Sequence, residues 1–158
     1  MISGNQISRA KGIRSSIMID SNVIIDTFDP KSDNYDASLK FMNKIVGKGI
    51  LFLMPTHGWF EIKCNLAKIE KARRIKPPFF NGQQAMLIEF LHIDDNFINK
   101  YSKVELPFIK SKDHIFLVVA KLNSLPFITW DIQMTKIGRE VNIDIYNPLE
   151  WMALNGNS

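Results

Sequence analysis

The chain has 158 residues, of which 46% are hydrophobic, and carries a net charge of +4. That length buries one sizeable core and not two, so a single domain is expected over residues 16–154, between a loose N-terminal arm of residues 1–15 and a short tail of residues 155–158. One cysteine, Cys64, excludes an internal disulfide framework and a cysteine-based zinc site, and no apolar run approaches the ~20 residues of a membrane-spanning helix.

In chain order, Ile17, Met18 and Ile19 form a short apolar run that ends in Asp20 and is followed by Val23, Ile24 and Ile25. Its length and branching predict a buried parallel strand with a turn behind it. Ala37, Phe41 and Ile45 at four-residue steps predict an amphipathic helix over 36–46, closed by Gly47 and Gly49, and Ile50 to Met54 predicts the second strand. Trp59, Ile62, Leu66 and Ile69 recur at helical spacing, so a helix is expected from about Thr56 to Arg74, ending before Pro77-Pro78. A shorter helix is expected around Gln83 to Phe90, then a strand over Leu91 to Ile93, then a helix capped by Asp95 and running through Tyr101. Ser111 opens a helix that is apolar on most sides, as expected for burial between layers. Pro126 to Trp130 reads as a strand ending in Asp131, followed by a helix to Gly138, a strand over Val141 to Tyr146, and a closing turn from Pro148 to Leu154. Strands alternating with helices predict a three-layer α/β/α sandwich with a mainly parallel central sheet, in which chemistry collects at the carboxyl ends of the strands.

Four carboxylates fall at that edge. Asp20 and Asp131 follow strands, while Glu61 and Asp113 lie in the first turns of helices that begin there. Each alone has an ordinary reading: Asp113 and Asp131 as helix N-terminal acids worth about 0.3–1 kcal/mol through the helix dipole, Asp20 as an Asx-turn cap, and Glu61 as a surface partner of Lys63 or Lys68. Gathered together they would repel one another unless a cation sat among them, and an all-oxygen donor set suits Mg2+ or Mn2+. Such a cation polarises a phosphoryl oxygen and lowers the pKa of water. Asn22 and Thr129 are placed to hydrogen-bond the carboxylates or that water.

The run Ile19-Asp20-Ser21-Asn22-Val23 resembles the opening Asp-x-Asn-Val motif of PIN domains. Glu61, Asp113 and the segment Thr129-Trp130-Asp131 resemble the second, third and fourth acidic positions of that family in the same order, over about Ser16 to Trp151. Pro148 and the turn Leu149-Glu150-Trp151 resemble its usual close. The resemblance implies a PIN-like α/β/α fold and Mg2+- or Mn2+-dependent cleavage of RNA, with Asp20, Glu61, Asp113 and Asp131 as metal ligands or supporting acids. By the same resemblance Asn22 and Thr129 orient them. Many bacterial members are toxins of toxin–antitoxin pairs, so an antitoxin protein is an expected class of partner, and a homodimer is left open. The chain departs from the family pattern in two places: the bulky Trp130 precedes the last acid, and His114 follows Asp113.

The positive charge points to a polyanionic partner. Lys110 and Lys112, just before Asp113, and Lys68, two turns beyond Glu61, are the candidate phosphate contacts. Lys71, Arg73, Arg74 and Lys76 extend the basic run. Tyr101, Trp130, Phe79 and Phe80 are candidates for base stacking, weighed against a place in the core. His57, His92 and His114 have no partner at metal-ligand spacing. No secretory signal is legible at the N-terminus, and a cytoplasmic location is expected. Two other classes compete. A catalytically silent PIN-like domain would bind RNA or protein without cutting. A phosphatase of the haloacid-dehalogenase type would carry an acid two residues after Asp20, where this chain has Asn22; no glycine-rich phosphate loop is present.

Overall fold

The structure, a computed structural model, describes residues 16–73, 88–107 and 111–156. Within them five strands, β1 (Ser16–Ile19), β2 (Leu51–Pro55), β3 (Ile88–Leu91), β4 (Phe127–Ile128) and β5 (Ile145–Tyr146), form one sheet in the order β3-β2-β1-β4-β5. Every pairing is parallel. Parallel pairing requires crossovers, which the helices α1 (Ser21–Asp26), α2 (Tyr35–Gly47), α3 (Thr56–Arg73), α4 (Asp95–Tyr101), α5 (Ser111–Asn123) and α6 (Ile132–Glu140) provide. The last helix, α7 (Pro148–Leu154), is fastened by a capping box in which Asn147 and Glu150 exchange side-chain to backbone hydrogen bonds.

From β1 the chain steps outward through β2 to β3, then returns past β1 to β4 and β5. Because such crossovers are right-handed, reversing the direction of travel changes the face on which helices lie. The packing agrees: α1 lies against α2 and α3, and α2 against α7, whereas α5 lies against α4 and α6. This is the α/β architecture expected from the alternating pattern. The sheet between the layers is almost wholly apolar, with Met18, Ile19, Leu53, Met54, Phe127 and Ile128 fully buried.

The reversal happens between β1 and β4. At their carboxyl ends the two strands lead away to opposite faces, which opens a crevice at the topological switch point.

Several local expectations are corrected. Val23 and Ile24 belong to α1 and not to a turn: Asp20 is the last extended residue (φ −68°, ψ 146°), and the helix starts at Ser21. Short apolar runs do not fix their own period, and here both residues are fully buried on a helix. Ile88 to Phe90 is strand and not helix, since it pairs with Phe52 to Met54 and continues to Leu91 against Pro55. A partner edge supplied by β2 outweighs local preference there. Residues 74–87, where that shorter helix was expected to start, lie outside the described residues. Asp94, not Asp95, caps α4, its Oδ1 accepting from the Phe97 N–H at 2.8 Å. The last strand is shorter than expected because Asn142 takes a left-handed conformation (φ 59°), which breaks the extended run Val141 to Tyr146.

Candidate active site

β1 delivers Asp20 to the switch-point crevice, only 6% exposed. It occupies the N-cap position of α1, yet its side chain makes no capping hydrogen bond. An N-cap Asp ordinarily contributes about 1 kcal/mol by accepting from the first-turn amides. Here both carboxylate oxygens are turned elsewhere. Oδ2 accepts from Thr129 Oγ1 at 2.7 Å, and Oδ1 lies 3.3 Å from Ser21 Oγ.

Thr129, fully buried just beyond β4, links two acids: while donating to Asp20, its hydroxyl oxygen accepts from the backbone N–H of Asp131 at 2.9 Å. Asp131 itself behaves as an ordinary N-cap, Oδ1 accepting from the Met134 N–H at 2.8 Å at the start of α6. The two aspartates therefore sit at equivalent positions, strand end and helix start, and only one of them caps.

Glu61 is brought in by α3. The first turn of that helix runs close to α5, for a Cβ at Gly58 would stand 2.8 Å from both Met54 Sδ and Phe116 Cζ. Glycine at this position lets α3 approach α5, which carries Asp113 in its first turn. Ser21 Oγ donates to Glu61 Oε2 at 2.6 Å, short enough for a charge-assisted bond.

These neighbours set the electrostatics of Asp20. Burial is the main cause that pushes its carboxyl up from the ordinary 3.8 to about 6; the hydrogen bond from Thr129 pulls it down, the negative charges of Asp113 and Glu61 raise it further, and Ser21 lowers it slightly. Asp20, Glu61 and Asp113 thus form one interacting group. Asp131 joins it through Thr129.

Among the described residues no group of three His, Cys, Asp or Glu side chains is arranged to hold a metal ion. The chemistry of the donors nevertheless fits one. They are all oxygens, Asp113 and Glu61 raise the proton affinity of Asp20, and Asn22 carries a buried Oδ1 with no hydrogen-bond partner among the described residues. Asp20, Glu61 and Asp113 are the residues that would hold a hard divalent cation there.

The remaining candidates divide. Lys68 is exposed on α3, seven residues past Glu61 and so on the same side of the helix. Lys110, the Lys112 side chain, Arg74, Lys76, Phe79 and Phe80 lie outside the described residues. Tyr101 is no stacking platform: it is buried, and its hydroxyl accepts from Asn123 Nδ2 at 3.1 Å. The indole N–H of half-buried Trp130 donates to Ser38 Oγ at 2.8 Å, anchoring the β4–α6 turn to α2. His57 packs edge-on against Phe116, His114 lines an apolar cavity between α4 and α5, and His92 is exposed. Ser21 is a contact residue of the site that the sequence pattern did not single out. Its place directly after Asp20 and before Asn22 was the available signal.

The family model for the PIN domain matches residues 17–140. No curated protein matches the chain. Among solved structures, the chain is similar to one in the FitAB complex bound to the IR36 DNA fragment, with 17% identity, a TM-score of 0.61, and 84% of this chain and 94% of that one covered. A chain of VapBC2 from Rickettsia felis, bound to a DNA fragment from its promoter, gives 15% identity and a TM-score of 0.56, with 84% and 98% covered. A toxin–antitoxin complex from Klebsiella pneumoniae gives 16% identity and a TM-score of 0.51, with 84% and 97% covered. At these identities the structural likenesses establish the fold.

Proposed function

We propose, from the premise that the chain belongs to the PIN domain family, that it is a Mg2+- or Mn2+-dependent endoribonuclease working at the Asp20, Glu61 and Asp113 cluster. The observation that carries this reading is Asp20. A buried carboxylate that forgoes its capping role and faces two further carboxylates costs stability, and a cation among them offsets that cost.

When bound, such a cation supplies Lewis-acid polarisation of a phosphoryl oxygen and an acidified water. The protein's own groups do the rest. Asp20, Glu61 and Asp113 would supply the negative charge that holds the cation, Asp20 from a buried position. Thr129 holds Asp20 Oδ2 in place, so that Oδ1 stays on the side of Ser21 and Glu61. Asp131, held through its backbone by Thr129, acts as a supporting acid, and Asn22 presents its buried Oδ1 to a polar partner. Lys68, with Lys110 and Lys112, draws the RNA backbone toward the cluster.

The FitAB, VapBC2 and Klebsiella pneumoniae structures are of protein complexes. By that likeness we extend the proposal: the chain is the toxin of a toxin–antitoxin pair, with an antitoxin protein as partner. One observation favours a second reading, a catalytically silent domain that binds RNA or protein: among the described residues no three acids are arranged to hold a metal ion.

The test is cleavage of single-stranded RNA by the purified protein with Mg2+ or Mn2+, against an EDTA control. The nuclease reading expects products only with metal, and none from folded Asp20→Asn or Asp113→Asn. Metal-insensitive RNA binding without products at any metal concentration would establish the silent domain instead.

A further inference from the structure

Ser21 is 3% exposed and stands between two carboxylates that repel each other. Its hydroxyl has one proton to give. At 2.6 Å that proton goes chiefly to Glu61 Oε2, with Asp20 Oδ1 at 3.3 Å as its second, weaker acceptor. One small side chain therefore fixes the distance between the two acids.

The need for it follows from the elements involved. Asp20 is on a strand end and has a short side chain already held by Thr129, so it cannot move far. Glu61 is half-buried on α3, with a side chain among those richest in rotamers. Repulsion from Asp20 and Asp113 favours rotamers that swing Glu61 outward. A fixed donor on the cluster side opposes that swing, and α1, packed against α3, offers Ser21 there.

We propose that Ser21 is a positioning residue for the cation site: its hydroxyl selects the inward Glu61 rotamer and so sets the affinity for the divalent ion. The inference rests on the cation-site reading above. Groups that orient ligands in this way are worth about 10–100-fold in metal affinity.

The experiment is Mn2+ titration by calorimetry on the full chain, beside melting curves in EDTA, for wild type and for Ser21→Ala, Ser21→Cys and Ser21→Thr. Cys keeps nearly the size of Ser but is a poor donor. Expected are a fall in Mn2+ affinity of about 10–100-fold in the Ala and Cys variants, with Thr close to wild type. Wild-type affinity in both the Ala and the Cys variants overturns the inference. So does a Thr variant that melts like wild type but binds as weakly as Ala. If folded wild-type protein binds no Mn2+, the cation-site reading itself fails, and the inference with it.

Discussion

Thr129 Oγ1 donates to Asp20 Oδ2 at 2.7 Å across 109 residues of chain, at the seam where β1 and β4 part. The same oxygen accepts from the Asp131 N–H. One buried hydroxyl thus ties together the ends of two strands and two of the four acids.

Replacing it removes both bonds at once. Thr129→Val, nearly the same shape, leaves a buried carboxylate oxygen and a backbone N–H without that partner, at a cost of about 1–3 kcal/mol. Thr129→Ser keeps both bonds and is expected to melt within a few degrees of wild type. Urea denaturation of the two variants checks this; equal midpoints for Val and wild type would remove Thr129 from the account.

Asp20→Asn separates stability from function. The amide keeps an acceptor for Thr129 and removes the buried charge, so the metal-free protein at pH 7.5 is expected to gain stability, by up to about 3 kcal/mol for a carboxyl raised from 3.8 to about 6. RNA cleavage and stabilisation by Mn2+ are both expected to disappear. A lower melting temperature than wild type in EDTA would show that the charge is accommodated without a cation.

The pH dependence of the metal-free protein has a definite sign. Folded Asp20 holds its proton up to about 6, the unfolded chain only to 3.8, so the folded state binds more protons between these values. The stability linked to protonated Asp20 is complete below 3.8 and is lost as pH rises through about 6. Glu150 works in the opposite direction: hydrogen bonding to the Asn147 backbone, aided by Arg139, holds its carboxyl below the usual 4.5, so its contribution is present above 4.5 and declines as pH falls. Melting temperature in EDTA is therefore expected to fall as pH rises from about 4.5 through about 6. Saturating Mg2+ should flatten the decline toward pH 7, because the ion takes the place of the proton. A profile that rises steadily from pH 5 to 7 without metal contradicts the burial of Asp20 as described.

Gly58→Ala tests the approach of α3 to α5. Alanine in a helix ordinarily gains about 1 kcal/mol over glycine. Here its Cβ would meet Met54 Sδ and Phe116 Cζ at 2.8 Å, and overpacking of this kind costs about 1–3 kcal/mol. A net loss of stability is expected, with weaker Mn2+ binding as Glu61 is displaced from Asp113. A variant that melts higher and binds Mn2+ normally would show that the contact yields freely.

What the sequence determined by itself was the alternation of strand and helix, and with it the layered α/β form, because burying a parallel strand on both faces demands an unbroken apolar run such as Ile17 to Ile19. It also determined where the acids stand within their elements, since Asp20, Glu61, Asp113 and Asp131 are each fixed relative to their own strand or helix. The periods of Val23 to Ile25 and of Ile88 to Phe90 were not legible, because a run of three or four apolar residues satisfies either repeat and the partner edge decides. Tertiary structure alone decided that Asp131 spends an oxygen on capping α6 while Asp20 spends none on α1, and that Ser21 reaches Glu61. Those differences depend on which side chains arrive from distant elements, through contacts such as Thr129 with Asp20 and Gly58 with Phe116, and local sequence carries no record of a neighbour that only folding supplies.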